Sequence, residues 1–174
     1  MEKQMGKHVV FTGSESTGKT ILATRLALDT GWPHVPEYAR EWLQNKNRYT
    51  ESDVYRMALG QYAAINEVFQ NPETNWVADT DLLTFRIWLD VRYGHVAQWV
   101  IDLHRRQVPT IYLLCAPDLP WQADPLRENE HDRQTLFDLY EDILRKEALP
   151  YEVITGMGEE RYGCVVDVLE GLKV

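Results

Sequence analysis

Gly13-Ser14-Glu15-Ser16-Thr17-Gly18-Lys19-Thr20 decides how this 174-residue chain is read. The stretch fills every fixed position of G-x-x-x-x-G-K-[ST], the Walker A pattern, and its setting is the one that pattern requires. Before it, His8-Val9-Val10-Phe11-Thr12 is a β-branched and aromatic run that stops at Gly13, which reads as a strand. After it, residues 19–29 read as a helix closed by Gly31. The glycines permit backbone angles that turn successive N–H groups inward, so loop and helix N-terminus together form a cradle for phosphate oxygens. Residues 13–20 are therefore expected to bind ATP, with Lys19 reaching the β- and γ-phosphates and the Thr20 hydroxyl ligating Mg2+.

Outward from the motif, short apolar runs alternate with helical periods. Trp32-Pro33-His34-Val35-Pro36 holds a brief strand, because each proline removes a ladder donor. Thr50-Glu51-Ser52-Asp53 resembles a capping box, and Val54, Met57, Ala58, Ile65 and Val68 follow at helical spacing until Asn71-Pro72. Trp76-Val77-Ala78, residues 110–115 and Tyr151-Glu152-Val153-Ile154 complete a set of five strands. Five strands alternating with helices imply a three-layer α/β/α domain, a P-loop NTPase with a parallel sheet covered on both faces. Residues 116–133 have no clean period and three prolines, and the part from about 118 reads as a lid rather than a linker. Residues 1–174 are taken as one domain.

Composition excludes several classes of partner. Eighteen basic against 27 acidic residues give a formal charge of −9, so general attraction to nucleic acid is not expected. Residues 1–8 lead into only three strongly apolar residues, Val9-Val10-Phe11, before Thr12, and no later run approaches membrane-spanning length, so a cytoplasmic chain without a membrane partner is expected. Cys115 and Cys164 stand in apolar contexts and read as small core residues. The five histidines show no zinc-ligand spacing, and no nucleophile elbow occurs. The pattern leaves homo-oligomerisation open.

In open α/β sheets, ligands lie beyond the carboxyl ends of the strands, so polar clusters that follow strands are the site candidates. Asp79 and Asp81 follow the third strand, where they can hold Mg2+ through water or bind a substrate hydroxyl; the alternative is an aspartate cap on the next helix. Glu37 and Arg40 follow the second, suited to accept a hydroxyl proton and to stabilise phosphate charge, or else to form an exposed i, i+3 ion pair. Arg127 and Arg133 in the lid segment can fold over a transferring phosphoryl group, the alternative being a solvated charged loop. Trp121 can stack on a flat ring, whereas Trp88 and the other tryptophans sit mostly in patterned segments that suggest core packing.

Taken in order, Gly13 to Thr20, Val35-Pro36-Glu37-Tyr38-Ala39-Arg40-Glu41, Ala58-Leu59-Gly60-Gln61, Asp79-Thr80-Asp81 and Pro117-Asp118-Leu119-Pro120-Trp121 with Asp124 and Leu126-Arg127 resemble one family. It is the nicotinamide riboside kinase domain of the bacterial multifunctional NAD-biosynthesis regulator and its stand-alone relatives. The likeness runs from about residue 8 to the C-terminus, with Pro125 standing where glycine is expected. The resemblance implies a fold similar to nucleoside and nucleotide kinases. It implies transfer of the ATP γ-phosphoryl group to the 5′-hydroxyl of nicotinamide riboside, a small-molecule partner. It also implies a carboxylate near the attacking hydroxyl, matched by Glu37, and lid arginines, matched by Arg127 and Arg133. Beside it, the reading of the residues themselves expects acceptor contacts from Glu37, Tyr38, Arg40, Gln61, Asp79, Asp81 and Trp121, metal contacts from Thr20 and Asp79, and phosphate contacts from Lys19. Either Glu37 or Asp81 orients the attacking hydroxyl. A kinase for another nucleoside and a nucleotide-dependent switch acting on a protein remain the alternatives.

Overall fold

The computed structural model describes residues 5–44, 46, 48–123 and 131–172. Its elements run β1 (His8–Thr12), α1 (Lys19–Thr30), β2 (His34–Val35), α2 (Tyr38–Leu43), α3 (Glu51–Phe69), β3 (Trp76–Asp79), α4 (Leu82–Tyr93), α5 (Gln98–Arg106), β4 (Ile111–Cys115), α6 (Arg133–Lys146), β5 (Tyr151–Ile154) and α7 (Gly158–Gly171). All strand pairs are parallel, in the order β2-β3-β1-β4-β5. The five-stranded parallel sheet expected from the alternation of periods is therefore the one observed.

Residue alternation along the strands sorts the core into two layers. Val9 and Phe11 of β1, Val77 of β3 and Ile111, Leu113 and Cys115 of β4 face α1 and α7. Val10, Trp76, Ala78, Tyr112 and Leu114 face α3, α4 and α6. Phe11, Trp76 and Tyr112 are fully buried, and each such side chain contributes about 1.5–3 kcal/mol by leaving water. A third cluster packs α2, α3, α4 and α5 together around Met57, Phe85 and Leu89. Cys115 is buried as expected, while Cys164 is half-buried at the edge of the first layer.

The signals that end the elements behave as their chemistry dictates. Gly31 closes α1 in the left-handed region at φ 71°. Thr50 and Asp53 form the reciprocal capping box that starts α3. After β1 the chain crosses to the far edge, returns through β3, and then passes to the other side of β1 at β4. The carboxyl ends of β1 and β3 thus meet at the reversal of strand order, the place where such sheets form a crevice. In the segment expected to be a lid, residues 116–123 are irregular and α6 begins at Arg133; residues 124–130 lie outside the described residues.

Candidate nucleotide and acceptor site

The loop between β1 and α1 has the backbone its sequence requires. Gly13, Ser16 and Gly18 all have positive φ, at 126°, 58° and 80°. At Gly13 a Cβ atom would lie 2.8 Å from the Cys115 carbonyl oxygen, so no other residue fits without displacing β4. Gly18 is the N-cap of α1 and no side chain caps that helix, which leaves its first N–H groups for an anion. Lys19 Nζ donates to the Ser14 carbonyl at 2.6 Å and Thr17 Oγ1 donates to the same oxygen at 2.9 Å, so the lysine lies folded across the loop.

Beneath this floor, Thr20 Oγ1 donates to Asp79 Oδ2 at 2.6 Å. Asp79 is 1% exposed, and its other carboxylate oxygen has no hydrogen-bond partner among the described residues. A buried, half-used carboxylate beside a hydroxyl at a phosphate cradle is a hard-oxygen set that fits Mg2+, with phosphate and water oxygens filling the remaining positions. Among the described residues no group of three or more His, Cys, Asp or Glu could hold a metal alone.

Glu37 is the N-cap of α2 but makes no side-chain cap bond, and it lines the cavity with about a quarter of its side chain open, 24%. Desolvation by its surroundings raises its carboxyl above the usual range, and Asp79 adds to the effect against the opposing charges of Lys19 and Arg40. Arg40 also lines the cavity, its Nε 3.8 Å from Glu37 Oε2, so the i, i+3 ion pair exists inside the site.

Asp81 corrects one expectation. It is 3% exposed and turned away from the cavity: Oδ1 accepts from Leu83 N at 3.0 Å and Oδ2 accepts from Tyr112 Oη at 2.6 Å, with His104 Nε2 3.4 Å away. It is the cap of α4, the alternative that its position before Leu82 had offered. Thr80 between the two aspartates has φ 71°, costly for a β-branched residue, and this twist turns Asp79 and Asp81 to different surroundings.

Three further expectations change. Gln61 is completely buried and bonded to backbone, outside the cavity wall. Tyr38 packs its ring over Gly60, where an added Cβ would fall 2.3 Å from the ring, so it too is absent from the wall. Trp121 lies against the Arg133 guanidinium, 5.8 Å from ring centre to Cζ, and is likewise outside. Arg133 is the first residue of α6 and donates to Leu119 O at 2.8 Å and Ser16 O at 3.3 Å, bracing the phosphate loop. Arg127 lies outside the described residues.

The cavity, about 440 Å3, has one polar and one aromatic end. The cradle, Glu37 and Arg40 form the first; Tyr49, Trp88, Val91 and Arg92 belong to the second. Trp88 Nε1 donates to Tyr49 Oη at 3.2 Å, their rings meet edge to face at 5.2 Å, and the Arg92 guanidinium lies 4.7 Å over Tyr49. Thr84, Trp88 and Arg92 share one face of α4 at four-residue spacing, over about 12 Å of helix axis. That spacing was available in the sequence as a signal; for Tyr49, in the connection between α2 and α3, there was none.

Arg161 was also missed. It is 2% exposed, donates to Thr17 O, Ala116 O and Gly156 O at 3.0, 2.8 and 2.9 Å, and pairs with Asp118. One guanidinium thereby joins the phosphate loop to the turns after β4 and β5.

Sheet order, cradle and the Thr20–Asp79 pair define a P-loop nucleotide-binding protein with the nucleoside and nucleotide kinase fold. More narrowly, the profile of the AAA domain family matches residues 8–161, and the chain belongs to that family. Among solved structures it is similar to a NadR protein in complex with NAD and AMP-PNP, at 22% identity and TM-score 0.79, covering 98% of this chain and 51% of that one. A NadR protein in complex with NR is similar at 24% identity and TM-score 0.79, covering 99% and 54%. Deoxyadenosine kinase from M. mycoides, with dCMP as product and dCDP bound, matches at 14% identity and TM-score 0.68, covering 94% of this chain and 99% of that one. The chain spans about half the length of the two NadR chains. Among the described residues no helix is long and apolar enough to cross a membrane.

Proposed function

We propose that the chain transfers the γ-phosphoryl group of ATP to the 5′-hydroxyl of a nucleoside, with nicotinamide riboside as acceptor and nicotinamide mononucleotide as product. The observation that carries this reading is one cavity lined at one end by a phosphate cradle, at the other by the Tyr49–Trp88 pair, with Glu37 in its wall. A kinase needs a place for a flat ring, a hydroxyl-facing carboxylate and a phosphate cradle in one enclosed space.

In this mechanism ATP lies along residues 13–20, with α1's uncapped first turn and Lys19 holding its phosphates. Thr20 and Asp79 would hold Mg2+, which would supply neutralisation of phosphate charge. Trp88 and Tyr49 seat the ring of the acceptor. Glu37 accepts the 5′-hydroxyl proton as that oxygen bonds to the γ-phosphorus and the bond to the β–γ bridging oxygen breaks, releasing ADP. The raised proton affinity of Glu37 suits a base that works near neutral pH. Of the two candidates for that role, Asp81 has both carboxylate oxygens engaged, Oδ1 as the cap of α4 and Oδ2 by Tyr112, which supports Glu37. Lid closure, with Arg127 over the phosphoryl group, completes the scheme that the family resemblance implies. The NadR structures bound to NAD, AMP-PNP and NR support the choice of acceptor.

The test is ADP release by purified protein with Mg-ATP, with and without nicotinamide riboside and a panel of nucleosides, with mass detection of the product. Strong stimulation with nicotinamide mononucleotide formed is the expected result. Stimulation by another nucleoside alone replaces the acceptor, and stimulation by none removes the kinase reading.

A further inference from the structure

Gln61 sits in the middle of α3, with no exposed surface and no place in the cavity wall, yet its carboxamide touches both segments that carry the chemistry. Its Oε1 accepts from Tyr38 N at 2.8 Å, and its Nε2 faces Thr80 O at 3.3 Å and Pro36 O at 3.4 Å. The neighbours fix which way the amide points, because a backbone N–H can only donate and the two carbonyls can only accept.

Two details make this more than core packing. First, Glu37 occupies the N-cap position of α2, where a side chain ordinarily folds back onto the helix, and its carboxylate makes no such bond. The first N–H of α2, from Tyr38, is satisfied by Gln61 instead, which leaves the Glu37 carboxylate available to the cavity. Second, the other end of the same amide holds the carbonyl of Thr80, the residue with φ 71° that follows Asp79. Gly60 contributes from the adjoining position: its missing side chain is what lets the Tyr38 ring lie on α3.

We infer that Gln61 is a positioning residue for phosphoryl transfer, capping α2 from α3 so that Glu37 and the Asp79–Thr80 turn are held in fixed relation. This role rests on the proposed kinase reading. It acts on the acceptor side and on the turn beside the metal pair, and leaves the phosphate cradle untouched. Loss of the clamp therefore lowers the rate of transfer without loosening ATP, since displacement of a base by about 1 Å can cost on the order of a hundredfold.

The experiment compares wild type with Gln61→Met, which keeps the length and apolar contacts of the side chain and deletes all three hydrogen bonds. Acceptor-dependent kcat and the Kd for Mg-ATP are measured on protein shown to be folded by its thermal transition. The expected result is a fall in kcat of roughly ten- to a hundredfold with the Kd for Mg-ATP unchanged within about threefold. Gly60→Ala, which displaces Tyr38 while leaving Gln61 in place, should give the same split, and it decides the matter if Gln61→Met does not fold. Unchanged kcat in the folded variants overturns the role. So does parallel loss of kcat, Mg-ATP binding and thermal stability, which marks a residue of the core only. A wild-type protein that binds Mg-ATP but phosphorylates no nucleoside overturns the kinase reading itself, and is told apart by that first control.

Discussion

The two ends of the cavity are built in opposite ways. At the phosphate end, contacts come from the backbone of one continuous loop, whose shape is set by Gly13, Ser16 and Gly18 and whose helix has no side-chain cap. At the aromatic end they come from side chains of Tyr49, Trp88 and Arg92, two of them on α4 and one on the connection before α3. A backbone cradle recognises any triphosphate tail, whereas a side-chain pocket selects one acceptor and can be altered by single substitutions. On the proposed kinase reading this separates a fixed donor site from an adjustable acceptor site, and substitutions at the two ends should separate in the same way.

The largest effect is expected at the cradle. Lys19→Ala removes the cation folded across the phosphate loop, and acceptor-dependent turnover should fall about a thousandfold with an unchanged thermal transition. Steady-state ADP release together with a melting curve checks both halves. Loss of less than about tenfold would mean that transfer does not depend on the cradle charge.

Glu37, in the polar end, should show a trade of activity against stability. Glu37→Gln should lower kcat about a hundredfold in single-turnover assays. Its carboxyl is raised in the folded state, so the stability it contributes is present at low pH, where it is protonated, and is lost as pH rises through the folded value. At neutral pH the neutral amide should accordingly raise Tm, and the gain should vanish in acid. A Tm that falls at pH 7 would show that the carboxylate is not held against a desolvation cost.

A milder and more selective effect is expected at the aromatic end. Trp88→Ala should raise the acceptor KM about tenfold or more while the KM for ATP stays within about twofold, because stacking on a ring contributes on the order of 1–3 kcal/mol. If both constants rose together, Trp88 would be a wall of the whole cavity rather than of one end.

The same contrast explains what could be read from the sequence. The cradle was legible because its chemistry lies in consecutive residues, and Gly13, Gly18, Lys19 and Thr20 each have a local reason for their identity. The strands were legible because apolar runs such as Ile111-Tyr112-Leu113-Leu114-Cys115 are short and bounded by turn residues. The acceptor end depends on which face of α4 meets the connection before α3, a tertiary fact. Trp88 reads as a core residue and does pack on the third cluster, stacked on Phe85, while its part in the cavity wall is a tertiary fact. Trp121, in a proline-rich loop, looked like the ring binder and is instead engaged by Arg133. Arg161 gave no sign in the sequence, because its partners are mostly backbone carbonyls from Thr17, Ala116 and Gly156, far apart along the chain.

Asp81 lies outside both ends, only two residues beyond Asp79, and tests whether the comparison is complete. Because Oδ1 caps α4 and Oδ2 accepts from Tyr112, Asp81→Ala should lower stability by about 1–3 kcal/mol through a lost cap and a Tyr112 O–H that loses its carboxylate acceptor, with only His104 Nε2, 2.7 Å away, left as its partner. Folded protein at low temperature should keep kcat within about threefold, since neither oxygen reaches the cavity. Denaturant melts and single-turnover rates on the same preparation separate the two effects. A folded variant with normal Tm and kcat reduced a hundredfold would return Asp81 to the chemistry. It would mean that the Asp79–Thr80–Asp81 turn rearranges when the acceptor binds, releasing the carboxylate from Tyr112 and making the aromatic end part of a moving site.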